Sequence, residues 1–288
     1  MSNPEKKVPE NTPGPFYVDS SCIDCDTCRQ IAPSTFADAG EYSYVYSQPT
    51  GEHERRLALH ALLACPTHSI GTIKEVSARE AMEDFPIAIE DGVYYCGFNA
   101  EASFGATSYF VTHQEGNWLI DSPRYLPFLA KKIEAMGGLR YIFLTHRDDV
   151  ADAEKYAERF DAQRILHRGD ISAMPEAEIV LQGEDPCEFG KDFLAIPTPG
   201  HTRGHCVLLY KNCFLFTGDH LAFSRQRKHL VAFRDANWYS WPETIRSMEK
   251  LEAYSFEWVL PGHGDRLKLP ANAMSAELRR AVEWMKTR

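Results

Sequence analysis

Three cysteines stand at two-residue intervals in Cys22-Ile23-Asp24-Cys25-Asp26-Thr27-Cys28. Thiolates so spaced converge only if the chain wraps around a common centre, as when a loop holds three corners of an iron–sulfur cube. The fourth corner must come from elsewhere, and Cys65 is the candidate. Pro66 after it fixes the backbone and cannot continue a helix, so the thiol stands at a sharp exit from the apolar run 57–64. A structural zinc site usually arrives as two Cys-x-x-Cys knuckles, and the sequence has no second knuckle. Cys96, Cys187, Cys206 and Cys213 are scattered through the remainder. In a chain this long, clustered cysteines read as metal ligands rather than a disulfide framework.

A second constellation lies further along. Four polar groups each follow a short apolar run: His146 after 141–144, His201 after 193–196, Asp219 after 213–216, and His263 after 258–260. Gly200, Gly218 and Gly262 stand directly before three of them. Glycine there lets the backbone turn without a side-chain clash, and rigid strands with loops at one edge can aim such groups at one centre. A lone histidine is more often a hydrogen-bonded structural residue. Four groups in this order, each at a strand exit, are harder to explain that way.

The elements that position these groups follow from the apolar pattern. Strands are predicted at 106–112, 118–121, 141–144, 164–166, 193–196, 206–210, 213–216 and 258–260, and helices at 126–136, 150–160, 242–254 and 276–286. Lys211-Asn212 predicts a tight hairpin. Ser240 with Glu243 predicts a capping box, and Ile245, Met248 and Leu251 mark a buried stripe. Strands alternating with helices argue for an α/β body. The mixed polar stretch 73–85 reads as a linker.

At 288 residues, and about 150 per domain, two domains are expected. Hydrophobic residues at 44% and charged residues at 25% are ordinary for a folded chain, which rules out low-complexity disorder as the main state. No apolar run approaches the roughly 20 residues of a membrane helix, and the first 15 residues lack the apolar core of a signal peptide. The expectation is no membrane and a cytoplasmic location, or an organelle matrix after processing. The net charge is −10, and no segment carries the basic excess that a phosphate backbone requires, so nucleic acid is not an expected partner. An acidic front suits docking to a basic redox partner protein, although a solvated acidic surface is the simpler and preferred explanation.

The front segment resembles a bacterial-type ferredoxin domain over residues 14–72, through its cysteines together with Val18-Asp19, Ala32-Pro33 and Ser69-Ile70. Two-cluster ferredoxins carry a further cysteine after the third, with three residues between them. Ala32 stands there, so the resemblance implies one cluster on Cys22, Cys25, Cys28 and Cys65, and the presence of Cys25 implies [4Fe-4S]. The remainder resembles the metallo-β-lactamase superfamily over residues 84–266, through Pro199-Gly200-His201-Thr202-Arg203-Gly204-His205, Thr217-Gly218-Asp219 and Leu260-Pro261-Gly262-His263. That resemblance implies an αβ/βα sandwich with a metal site along one edge of two sheets. Asp121 matches the family's structural aspartate near the site.

The first family motif departs from its usual His-x-His-x-Asp-His form. Residues 146–151 read His-Arg-Asp-Asp-Val-Ala: His146 matches, Asp148 replaces the second histidine, and Val150 and Ala151 replace two second-metal ligands. A normal two-metal site is therefore not expected. Asp149 and Asp152 are near, but their spacing does not fit the pattern. One divalent metal, zinc, iron or manganese, is expected on His146, Asp148, His201, Asp219 and His263. His205 reads as a residue orienting a ligand, and His220 is undecided. The aromatic run Trp238-Tyr239-Ser240-Trp241 suits either a substrate pocket or a helix start.

The expected fold class is α+β: a ferredoxin-like domain at 1–72, a linker at 73–85 and a metallo-β-lactamase-fold domain at 86–288. The expected function is metal-dependent hydrolysis of a small ester or thioester, resembling glyoxalase II, with His201 and Asp219 as the catalytic pair. Two alternatives stand beside it. One is a non-haem iron oxidoreductase fed by the cluster, and the other a non-catalytic electron-transfer or binding protein with a degenerate site.

Overall fold

The computed structural model describes residues 2–73 and 76–288. Lys74 and Glu75, at the start of the expected linker, lie outside the described residues. The first domain is small. Strand Phe16–Val18 pairs antiparallel with Ile70–Thr72, and Phe36–Asp38 pairs with Ser43–Val45. Helices Thr27–Ile31 and Glu52–Ala64 flank them. Phe16, Val18, Phe36, Val45, Leu59 and Ile70 form its core.

Two sheets make the body. Seven strands lie in the order Ile179–Leu181, Gln163–His167, Tyr141–Phe143, Trp118–Ile120, Tyr109–Val111, Val93–Tyr95, Ile87–Glu90. Six lie in the order Cys187–Phe189, Phe193–Pro197, Cys206–Tyr210, Phe214–Gly218, Trp258–Pro261, Leu267–Lys268. Alternation along each strand splits its side chains between two faces. Phe193, Leu208, Tyr210 and Phe216 meet Tyr109, Trp118, Ile120 and Phe143 between the sheets. Ile196, Val207, Leu209 and Leu215 point the other way, onto helices Trp241–Leu251 and Ala271–Lys286. Leu119, Ile142 and Leu166 pack on helices Pro127–Ala135 and Ala153–Phe160. Burial on both faces explains why 206–210 reads as an unbroken apolar run. The result is a four-layer αβ/βα sandwich.

Several expectations are corrected in detail. The strand expected over 106–112 is only Tyr109–Val111, because residues 96–107 form a loop against the first domain. The helix expected from 150 begins at Ala153, after a 3₁₀ turn at Arg147–Asp149. Ser240 caps its helix by accepting from the Glu243 amide, but the reciprocal half of the box is missing. The Ser240 amide donates instead to the Gly200 carbonyl, and the Glu243 carboxylate pairs with Arg246. Lys211 and Asn212 both take positive φ, 52° and 48°, as a two-residue hairpin of primed type requires. The described part of 73–85 carries a short helix at Arg79–Met82 and packs closely: Ala81 and Phe85 are buried, and Asp84 receives both Arg56 Nε and Nη2 at 2.6 Å.

Candidate functional sites: a thiol cage and an imidazole–carboxylate cluster

In the first domain, Cys22, Cys25, Cys28 and Cys65 line one enclosed cavity with Val18, Ile23, Pro66 and Ile70. All four cysteines are free thiols. Burial raises Cys25 to about 11 and pushes Cys22 and Cys28 upward too. Four sulfurs facing one cavity suit a cationic iron core that takes them as thiolates. Cys65 caps helix Glu52–Ala64, and the chain turns away at Pro66. Backbone amides also point at sulfur: Ser43 N lies 3.4 Å from Cys22 Sγ.

In the body, the parallel strands end along one edge and deliver their groups there. Asp219 is the hub. Its Oδ2 lies 3.7 Å from His146 Nε2, 3.7 Å from His201 Nε2 and 3.8 Å from His263 Nε2. Asp148 Oδ2 lies 3.7 Å from His146 Nε2 and 3.5 Å from His201 Nε2. Ligand atoms each about 2.0–2.2 Å from one ion are separated by about 3–4 Å. The nitrogens and oxygens that face inward, His146 Nε2, His201 Nε2, Asp148 Oδ2 and Asp219 Oδ1, are buried without a hydrogen-bond partner. Unpaired buried polar atoms are costly, so their convergence fits a metal ion. The structure thus brings together all five expected groups, with His263 the most exposed of the imidazoles.

Asp121 acts behind His146. It accepts from Thr145 N at 2.8 Å and from Thr145 Oγ1 at 3.0 Å. That hydroxyl in turn stands 3.0 Å from His146 Nδ1. With Thr145 donating to the carboxylate, its oxygen accepts from His146 Nδ1–H, which leaves the Nε2 lone pair facing the centre. His205 is fixed similarly through Nδ1 to Thr198 Oγ1 at 2.9 Å, with its ring 5.3 Å from that of His146. His220 is buried 4.8 Å from the His205 ring. Burial lowers His146 to about 4 and His220 to about 3, so these rings are neutral near pH 7. Burial works to raise Asp219, but His263, His146 and His201 outweigh it and hold the carboxylate below its ordinary value.

Asp149 is the residue that sequence spacing set aside. In the 3₁₀ turn Arg147–Asp149 and its cap His146, positions i and i+3 eclipse. Asp149 Oδ2 therefore comes to 3.9 Å from His146 Nδ1, buried and unpartnered. His146, Asp149 and Asp219 offer atoms that lie within 4.8 Å of one another, as do His146, Asp148 and His201. Gly262 makes room for this: a Cβ there would stand 2.8 Å from Asp219 Oδ1 and 3.1 Å from Asp149 Oδ2. Burial and the neighbouring Asp219 push the Asp149 carboxyl well above its ordinary range. Asp152 is elsewhere, accepting from Tyr125 N and Lys155 Nζ at 2.7 Å each. The signal for Asp149 was present, but only the turn type reveals it.

The aromatic run divides. Trp241 packs into the core and donates to the Met285 carbonyl. Trp238 is 61% exposed, and its ring lies 6.3 Å from that of His201. Phe104, 55% exposed, stands 6.1 Å from the His263 ring. Two accessible aromatic rings thus flank the donors.

Comparisons agree with both halves. Residues 18–72 match the family described as the 4Fe-4S single cluster domain of ferredoxin I. The DIM-1 metallo-β-lactamase superposes with a TM-score of 0.54 at 16% identity, over 69% of this chain and 95% of its own. The MIM-1 enzyme of Novosphingobium pentaromativorans gives 0.50 at 15% identity, over 70% and 88%. The hydroxyacylglutathione hydrolase of Acidiphilium cryptum is 30% identical over 118 residues, 40% of this chain and 48% of its own length. That of Pelagibacter ubique is 35% identical over 88 residues, 29% and 36%. The chain therefore spans less than half of the curated relatives it matches. It joins a single-cluster 4Fe-4S domain to a body of metallo-β-lactamase fold. Among the described residues no helix is long and apolar enough to cross a membrane.

Proposed function

We propose that this protein is a metal-dependent hydrolase acting on a small ester or thioester. The observation that carries this reading is Asp219, whose Oδ2 lies within 3.8 Å of three imidazole nitrogens while its Oδ1 is buried and unpartnered. His146, Asp148, His201, Asp219 and His263 would hold one divalent ion, with Asp149 beside Asp219 Oδ1. When bound, such an ion lowers the pKa of water towards neutrality and polarises a carbonyl. Asp219 Oδ1 accepts a hydrogen bond from the attacking water and fixes its direction. Neutral His146 keeps its Nε2 lone pair inward. Trp238 and Phe104 give an apolar acyl or thiol portion two rings to rest on. The curated relatives are hydrolases of an acylglutathione, which supports the thioester class.

A second reading is favoured by one observation. Residues 96–107 touch the cluster cage and the His263 segment together: a Gly105 Cβ would stand 2.9 Å from Cys25 Sγ, and the adjacent Phe104 ring is 6.1 Å from that of His263. This arrangement suits a mononuclear iron oxidoreductase that exchanges electrons with the cluster and, through the front domain, with a redox partner protein.

Anaerobic purification with elemental analysis and Mössbauer spectroscopy, followed by thiol release from acyl-thioesters, separates the readings. The hydrolase reading expects about one non-cluster metal ion, and thiol release that His201→Ala abolishes along with that metal, with the cluster absorbance intact. A fifth iron without thiol release would replace it with the redox reading. A body without metal would leave a binding protein.

A further inference from the structure

We infer that the first domain positions His263 for the body's metal, so that cluster occupancy and metal affinity are energetically coupled. The inference rests on the metal-site reading above, but not on which reaction the site performs.

The other donor segments are held from within the body. Arg147 N donates to Asp170 Oδ2, and Ser122 N to the Asp149 carbonyl. Trp238 N and Tyr239 N donate to the His201 carbonyl. The segment that carries His263 is different, because two tethers reach it from the cage. The first runs through residues 96–107. Asn99 is fully buried: its Nδ2 donates to Gly105 O at 2.6 Å and Thr27 Oγ1 at 3.2 Å, its Oδ1 accepts from Tyr95 OH at 2.8 Å, and its amide donates to Ala64 O at 3.2 Å. Thr27 precedes Cys28, and Ala64 precedes Cys65. Gly105, at φ 84°, lies against Cys25, where a Cβ would meet Cys25 Cβ at 2.8 Å and Pro66 Cγ at 3.0 Å. Two residues on, Thr107 N donates to Gly262 O at 2.7 Å.

The second tether runs through Arg225. Arg225 Nη1 donates to Arg29 O at 2.8 Å, and its Nη2 bonds Gln30 O at 3.2 Å and Asp265 Oδ1 at 2.6 Å. Arg29 and Gln30 belong to the helix that carries Cys28. His263 therefore sits between Gly262 and Asp265, each anchored to a segment bearing a cluster ligand. Loss of the cluster frees Cys25, Cys28 and Cys65 and loosens both anchors. The His263 imidazole then spends less time at Asp219. Such coupling is reciprocal, so metal in the body also favours a cage ready for its cluster.

The test is metal affinity rather than turnover. Cobalt(II) or zinc is titrated against a chromogenic chelator, using full-length protein in three forms: cluster-loaded, cluster-free Cys25→Ser, and cluster-loaded Arg225→Ala. The expected outcome is affinity about 10-fold weaker in the latter two, the lower end of what outer partners of metal ligands contribute, with an altered cobalt visible spectrum. In a His263→Ala background the same changes should have no further effect, the cycle that isolates coupling through His263. Arg225→Ala retains its cluster, so it guards against a Cys25→Ser chain that fails to fold. Equal affinity and spectra in all three forms would overturn the inference while leaving the metal site standing. An undiminished effect in the His263→Ala background would also overturn it. Absence of body metal binding in every form would overturn both.

Discussion

In the first domain three thiols fall within Cys22 to Cys28 and the fourth caps one helix, whereas the body gathers donors from strand exits between His146 and His263. The cage is nearly local. Its geometry depends on one loop, one helix end and a small core. The body centre depends on two sheets stacking so that His146, from one, faces His201, Asp219 and His263, from the other. A local site tolerates remote change but fails with one ligand. A dispersed site can draw on any donor nearby, as with Asp148 beside His146 and His201 and Asp149 beside Asp219.

The sharpest break between the regions is Cys25→Ala. Loss of one of four corner ligands should remove essentially all cluster absorbance while body metal is still taken up, though more weakly. An unchanged visible spectrum would mean that the cage holds no iron–sulfur cluster. Asp149→Asn should be graded instead. Removing the anionic oxygen beside Asp219 should weaken body metal binding by about 10–100-fold, read by chelator competition, with cluster content unchanged. The paired control, Asp152→Asn, should leave metal affinity unaltered. Equal effects from both variants would take Asp149 out of the ligand set.

The smallest expected effect concerns the segment joining the regions. The Arg56 hydrogen bonds, helped by His60, hold Asp84 at about 2 against an ordinary 3.8. A depressed carboxylate stabilises the folded state above its unfolded pKa, and that contribution fades as pH falls from about 4 towards 2. Asp84 is partly exposed, so the contribution is about 0.5–1 kcal/mol. The stability difference between the native chain and Asp84→Asn should be constant above pH 4 and shrink below it in urea melts. A pH-independent difference would remove the ion pair as its cause.

The sequence alone brought Cys22, Cys25 and Cys28 together, because spacing along a short loop limits where thiols can go, and it pointed to Cys65 as the fourth, which the fold places in the same cavity. It also determined the order of strand exits, since an apolar run ending in a glycine and a polar residue leaves little choice of which group emerges at the edge. Spacing could not decide that Asp149 eclipses His146, because that depends on a 3₁₀ turn rather than an α-turn. Nor could it show that Trp238 stands outside while Trp241, three residues on, packs partly buried against the core, or that residues 96–107 leave the sheet to lie on Cys25. Asn99, Gly105 and Arg225 carry no motif. Their roles arise only where two domains meet, since hydrogen bonds between Thr27 and Gly105, or Arg225 and Gln30, join residues far apart in the chain.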